Sequence, residues 1–81
     1  MLESVLNRYL DMYKLNWIRS KEKLDADGFY IYTSYKYKDY EIKSIDGSYF
    51  IEKAGERLGI ADSLKKAKVF VILKEYPKKK D

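Results

Sequence analysis

Asp46-Gly47 constrains this chain more than any other feature. The pair separates Tyr40–Ile45 from Ser48–Lys53, two β-rich runs, and Asp-Gly between such runs marks a two-residue hairpin turn. That register sets Ile42 opposite Ile51 and Ser44 opposite Tyr49. Tyr40, Ile42, Tyr49 and Ile51 then share a core face, with Glu41, Lys43, Phe50 and Glu52 on the other. Ala54-Gly55-Glu56 turns the chain into a further strand over 57–61, where Leu58 and Ile60 are expected to continue the apolar face with Gly59 opposite.

Asp62-Ser63 next reads as the N-cap of a helix that stops before Pro77. Leu64, Ala67 and Val71 fit one helical face. Residues 69–73, Val-Phe-Val-Ile-Leu, also fit a buried strand, and periodicity does not separate the two. The Asp-Ser-Leu-Lys-Lys-Ala opening favours the helix.

Upstream, Leu2, Val5, Leu6, Tyr9, Leu10 and Tyr13 recur at helical spacing, with Glu3, Asn7, Asp11 and Lys14 on the far side. An amphipathic helix over about residues 2–15 follows. Trp17 and Ile18 are expected to fold back on the core, and the charged stretch 20–28 to form a loop. Residues 29–38 alternate as a strand: Phe29, Ile31, Thr33, Tyr35 and Tyr37 on one face, Tyr30, Tyr32, Ser34, Lys36 and Lys38 on the other. Lys38-Asp39 lacks a glycine, so either a separate strand or a bulged continuation leads into Tyr40–Ile45.

The expected fold is α+β: an antiparallel sheet of three to four strands packed by an N-terminal and a C-terminal helix. One domain covers 1–77, and 78–81 form a basic tail. The 81 residues include no Cys and no His, which removes disulfides and the usual zinc ligands. No signal peptide is visible, and the longest apolar run, 69–73, is far short of the ~20 residues that span a bilayer. A cytoplasmic protein without a membrane partner is expected. The lysine, tyrosine and isoleucine bias fits an AT-rich phage or mobile element. Of the formal charge of +4, Lys78, Lys79, Lys80 and Asp81 supply +2.

Chemistry has few footholds. Glu41-Ile42-Lys43 matches the Glu-x-Lys half of a metal-dependent nuclease signature, whose second acid could come only from Asp25, Asp27 or Asp46. An alternating, solvated strand face with a charge pair is the favoured reading, since Glu-x-Lys arises by chance in almost any lysine-rich chain. There is no serine elbow and no phosphate-cradling glycine loop. A non-enzymatic protein without cofactor is expected. Two features are compatible with phosphate binding, although a tyrosine-rich sheet face packed against the N-terminal helix or a second subunit accounts for the first, and solvated lysines on a surface turn account for the second. Tyr30, Tyr32, Lys36, Lys38 and Lys43 interleave aromatic and basic groups on one strand face, with Glu41 and Glu52 opposing. Lys65, Lys66 and Lys68 crowd the first turns of the last helix, where free N–H groups already favour an anion, and Arg57 is placed to join them.

The strand–strand–strand–helix order, with RLGIADSLKKAKVF at the junction, resembles the three-stranded sheet plus helix of phage integrase arm-binding domains and of plant AP2-type domains. The likeness is one of shape and covers the second half only. The chain lacks the tryptophans and arginines that AP2 domains present from their sheet, and its N-terminal helix is additional. Two expectations follow from the whole reading. One is a small DNA-binding or regulatory protein that contacts phosphates through its lysines. The other is a protein-interaction module, such as a phage inhibitor or adaptor, that uses a tyrosine-rich sheet face against a host nucleic-acid machine. A homodimer through the open sheet face or a Tyr40–Ile45 edge is compatible with either.

Overall fold

The computed structural model describes residues 3–23 and 31–76. Elements run α1 (Glu3–Met12), β1 (Ile18–Lys23), β2 (Ile31–Tyr37), β3 (Tyr40–Ile45), β4 (Ser48–Lys53), β5 (Glu56–Ala61) and α2 (Leu64–Glu75). All five strands form one antiparallel meander in the order β1-β2-β3-β4-β5. The fold is thus α+β, with one strand more than the sequence leads one to expect.

The turns follow from backbone permissiveness. Asp46 and Gly47 have φ of 52° and 78°, the pair of positive values that a type I′ turn requires. Ala54 and Gly55 repeat the device at 52° and 86°. Between β2 and β3 the connection is Lys38-Asp39, with Lys38 at φ 54°. The Lys38 Nζ reaches Glu75 Oε1 at 3.4 Å and lies over the Tyr37 ring.

In the core, Tyr40, Ile42, Ile51, Ala67 and Val71 form the buried cluster, flanked by Leu15, Trp17, Tyr35, Tyr37, Tyr49, Leu58 and Phe70. Ile42 pairs with Ile51 and Ser44 with Tyr49, as the Asp-Gly register requires. Each fully buried isoleucine contributes about 2–3 kcal/mol through removal from water. Ser63 caps α2 by accepting the Lys66 N–H at 3.2 Å. Residues 69–73 are helical. Leu6, Val69 and Ile72 are also buried, outside the sheet-side cluster. α2 lies between the sheet and α1, so it is apolar on two sides, and its 3.6-residue period is blurred in the sequence.

Four expectations are corrected. The loop over 20–28 gives way, in its first part, to strand β1; the remainder lies outside the described residues. Ile-Arg-Ser-Lys-Glu-Lys has too little apolar content to read as a strand, yet edge strands tolerate charge because one side is solvated and unpaired. Ile18 is accordingly 69% exposed, while Trp17 alone folds back on Tyr37, with ring centroids 5.6 Å apart. In β5 a bulge leaves Leu58 without a partner: Ile51 pairs with Gly59, but Glu52 pairs with Arg57. The bulge turns Gly59 toward the Phe70 ring and leaves Ile60 opposite Phe50, 59% exposed. Tyr40–Ile45 is the central strand and not an edge; β1 and β5 are the edges.

α1 packs on α2 and, among the described residues, makes no packing contact with the sheet. Tyr13 beyond its end stacks on Tyr76 at 4.9 Å. α2 in turn covers β3, β4 and β5. β2 and the turn after it reach α2 through side chains, Tyr35 beneath Lys68 and Lys38 at Glu75, and the molecule measures 51 × 25 × 20 Å.

Candidate nucleic-acid interface

The pairing register sorts the charged side chains onto two faces. On the face away from the helices stand Glu22, Tyr32, Ser34, Lys36, Glu41, Lys43, Phe50, Glu52 and Arg57. Its lysines are paired with acids. Lys43 Nζ meets Glu52 Oε1 at 3.2 Å, and Lys36 Nζ meets Glu22 Oε2 at 3.6 Å. Ser34, fully buried by its neighbours, donates to Glu41 Oε2 at 2.6 Å. Arg57 lies over the Phe50 ring at 4.6 Å. Burial alone would lower the Lys43 ammonium's pKa, but its bond and charge contact with Glu52 overcome this and raise it. Glu22 is held below its ordinary value by the Ser20 hydroxyl and by Lys36.

The opposite, helix-side face has a different character at the β1–β2 wing. Strict alternation in β1 sends Arg19, Lys21 and Lys23 to one side, opposite Tyr35, Thr33 and Ile31. Tyr35 in turn pairs with the core residue Ile42, which fixes this side as the helix side. Lys21 Nζ donates to Thr33 Oγ1 at 2.9 Å. From α2, Lys68 brings its ammonium to 5.8 Å from the Tyr35 ring centre. Lys65, one turn earlier, and Lys14 border the same recess as Lys68. Among the described residues of β1 and β2, no acidic side chain stands on this face. Glu75 lies at the far end of α2, bonded by Lys38 and by the Tyr40 hydroxyl at 3.2 Å.

The residues singled out from sequence are thus divided. Lys65 and Lys68 share a surface. Lys66 turns away to Asp62, 3.0 Å from Oδ1, and Arg57 is on the other face of the sheet. Tyr32, Lys36 and Lys43 do share the outer face, where Lys43 Nζ approaches the Tyr32 ring at 5.9 Å, but both lysines carry acidic partners. Lys38 sits in the β2–β3 turn, its pKa raised by the bond to Glu75. Tyr30 and the 78–80 lysines lie outside the described residues. Among the described tyrosines only Tyr32 stands on the outer face; Tyr35, Tyr37, Tyr40 and Tyr49 face the helices. Lys21 and Lys23 fall in the stretch 20–28 expected to be a loop, and Arg19 just ahead of it was given no role, although the period-two spacing of the three is the signal that identifies them.

For the Glu-x-Lys pair, the register supplies a second acid besides Asp25, Asp27 and Asp46. Glu52 lies directly opposite Glu41, its charge taken by Lys43. Among the described residues there is no group of three His, Cys, Asp or Glu side chains placed to hold a metal ion. No described helix is long and apolar enough to cross a membrane. No family model matches the sequence, and neither a curated protein nor a solved structure matches it.

Proposed function

We propose that this chain is a non-enzymatic nucleic-acid-binding protein whose phosphate contacts come from Arg19, Lys21, Lys23, Lys65 and Lys68. The observation that carries the reading is the segregation of charge. Lys36 and Lys43 on the outer face are paired with Glu22 and Glu52, whereas the helix-side face of the β1–β2 wing gathers three cations without an acid among the described residues. A phosphate backbone is attracted to such a surface and releases counterions when it binds. The tail lysines, Lys78–Lys80, add to the same electrostatic pull.

The test is fluorescence anisotropy of labelled DNA titrated with protein at low and at physiological salt. Five phosphate contacts predict a log-log salt slope of about −4. Absence of binding at low salt removes this reading.

A second reading rests on Tyr32, which pairs across from Glu22 and has the Lys43 ammonium near its ring. An aromatic ringed by mixed charge fits a protein partner, such as a host factor engaged by an inhibitor or adaptor. Loss of partner capture in Tyr32→Ala with unchanged DNA binding would favour it.

A further inference from the structure

Between α1 and the start of α2 the chain leaves an open cavity of about 470 Å³, within the usual range for small-ligand sites. Leucines from both helices, Leu10 and Leu64, line it together with Trp17, and Lys14, Lys65 and Lys68 contribute cations to the same wall. No acidic residue is among the lining groups. Trp17 is half-buried, with its indole tilted 46° against Tyr37, so its orientation is held by packing before any ligand arrives.

We infer that this recess takes one unpaired nucleotide of a single-stranded nucleic acid, with the base in the apolar interior beside Trp17 and the flanking phosphates at the three lysines. The chemistry is complementary on both counts. A base offers a flat, weakly hydrated ring that gains from stacking on indole. Its phosphates are drawn to the positive charge of the lysine border. A base inside a duplex is already stacked and paired, so it reaches the cavity only after extrusion, which costs a few kcal/mol. The site therefore selects single strands over duplex. This inference deepens the phosphate-binding reading and rests on it, since Lys68 both borders the recess and lies over Tyr35, the cross-strand partner of Arg19.

Trp17 is the sole tryptophan, which makes it a direct reporter. Protein fluorescence and DNA anisotropy are to be followed together with a short oligothymidylate and with a duplex of the same length. Quenching of Trp17 by the oligothymidylate, with no quenching by bound duplex, is the expected result. An anisotropy rise with both and quenching with neither overturns the base pocket while leaving phosphate binding intact. No anisotropy rise with either removes both. Equal quenching by polyglutamate also overturns it, because an acidic peptide is then an equivalent occupant. Read by anisotropy, Trp17→Leu should lower oligothymidylate affinity about tenfold and leave duplex affinity unchanged. Trp17→Phe, which keeps an aromatic ring against Tyr37, should restore most of the loss. Equal losses in both variants for both DNA forms would mark Trp17 as a packing residue only.

Discussion

The Lys68 ammonium stands 5.8 Å from the centre of the Tyr35 ring, and Arg19 is the residue paired across from Tyr35 on β1. One aromatic side chain thereby joins the helix and the edge strand into a single basic surface. The last helix turns Lys68 toward this surface and Lys66 away from it, to Asp62. Lys68→Gln keeps the length of the side chain and removes its charge. DNA affinity should fall severalfold and the salt slope should become shallower by about one. Lys66→Gln should leave the slope unchanged.

Gly59 yields a less obvious expectation. A Cβ at this position would meet the Phe70 ring at 3.5 Å, an ordinary contact, and its φ is not positive. Gly59→Ala should therefore be tolerated, with a stability gain of about 0.5 kcal/mol from the restricted unfolded chain. Gly59→Leu overfills the gap and should cost about 1–3 kcal/mol. Urea midpoints of the two variants compared with the parent decide the matter; equal destabilisation by both would refute the placement of Gly59 beneath Phe70.

The Ser63 cap is expected to matter in proportion to the size of the domain. Ser63→Ala leaves the Lys66 N–H without its acceptor and should cost about 1 kcal/mol. For a domain of this size that lowers the thermal midpoint by roughly 4–8 °C. An unchanged midpoint would mean that α2 does not begin at this cap.

Tyr40 carries a pH dependence. Burial first, and then its hydrogen bond to Glu75, raise its phenol above the ordinary value near 10. The neutral phenol is therefore favoured in the folded state, and the unfolded chain ionises first as pH rises. The contribution is complete below about pH 10 and is lost as pH climbs through the folded-state value. Tyr40→Phe should cost about 1 kcal/mol at neutral pH through the lost bond. It should also show a smaller fall in stability than the parent above pH 10, measured by denaturant unfolding across that range. Parallel pH profiles would contradict the assignment.

The hairpins and the cap were legible because each depends on local chemistry: Asp46-Gly47 on positive φ, Ser63 on an oxygen placed for a free N–H. The alternation of 31–37 and the pairing of Ile42 with Ile51 followed from the same reasoning. β1 was not legible, because an edge strand hydrogen-bonded on one side does not need the apolar residues that announce a central strand. Nor was the bulge at Leu58, although Gly59 beside it is the kind of strand-interior glycine that often marks one. The basic surface was half legible. Lys65 and Lys68 were visible as a cluster, but only the register of β1 brings Arg19, Lys21 and Lys23 beside them, and only tertiary pairing shows that Lys36 and Lys43 are neutralised.

The central claim is that one face of the sheet binds phosphate and the other does not. Two double variants test it most directly: Lys21→Gln with Lys68→Gln on the helix side, and Lys36→Gln with Lys43→Gln on the outer face. Each pair removes the same charge, so a non-specific effect of net charge is equal in both. DNA affinity by anisotropy at low salt should fall at least about tenfold in the first pair and by less than about threefold in the second. Equal losses in the two pairs, or a larger loss from the outer face, would contradict it.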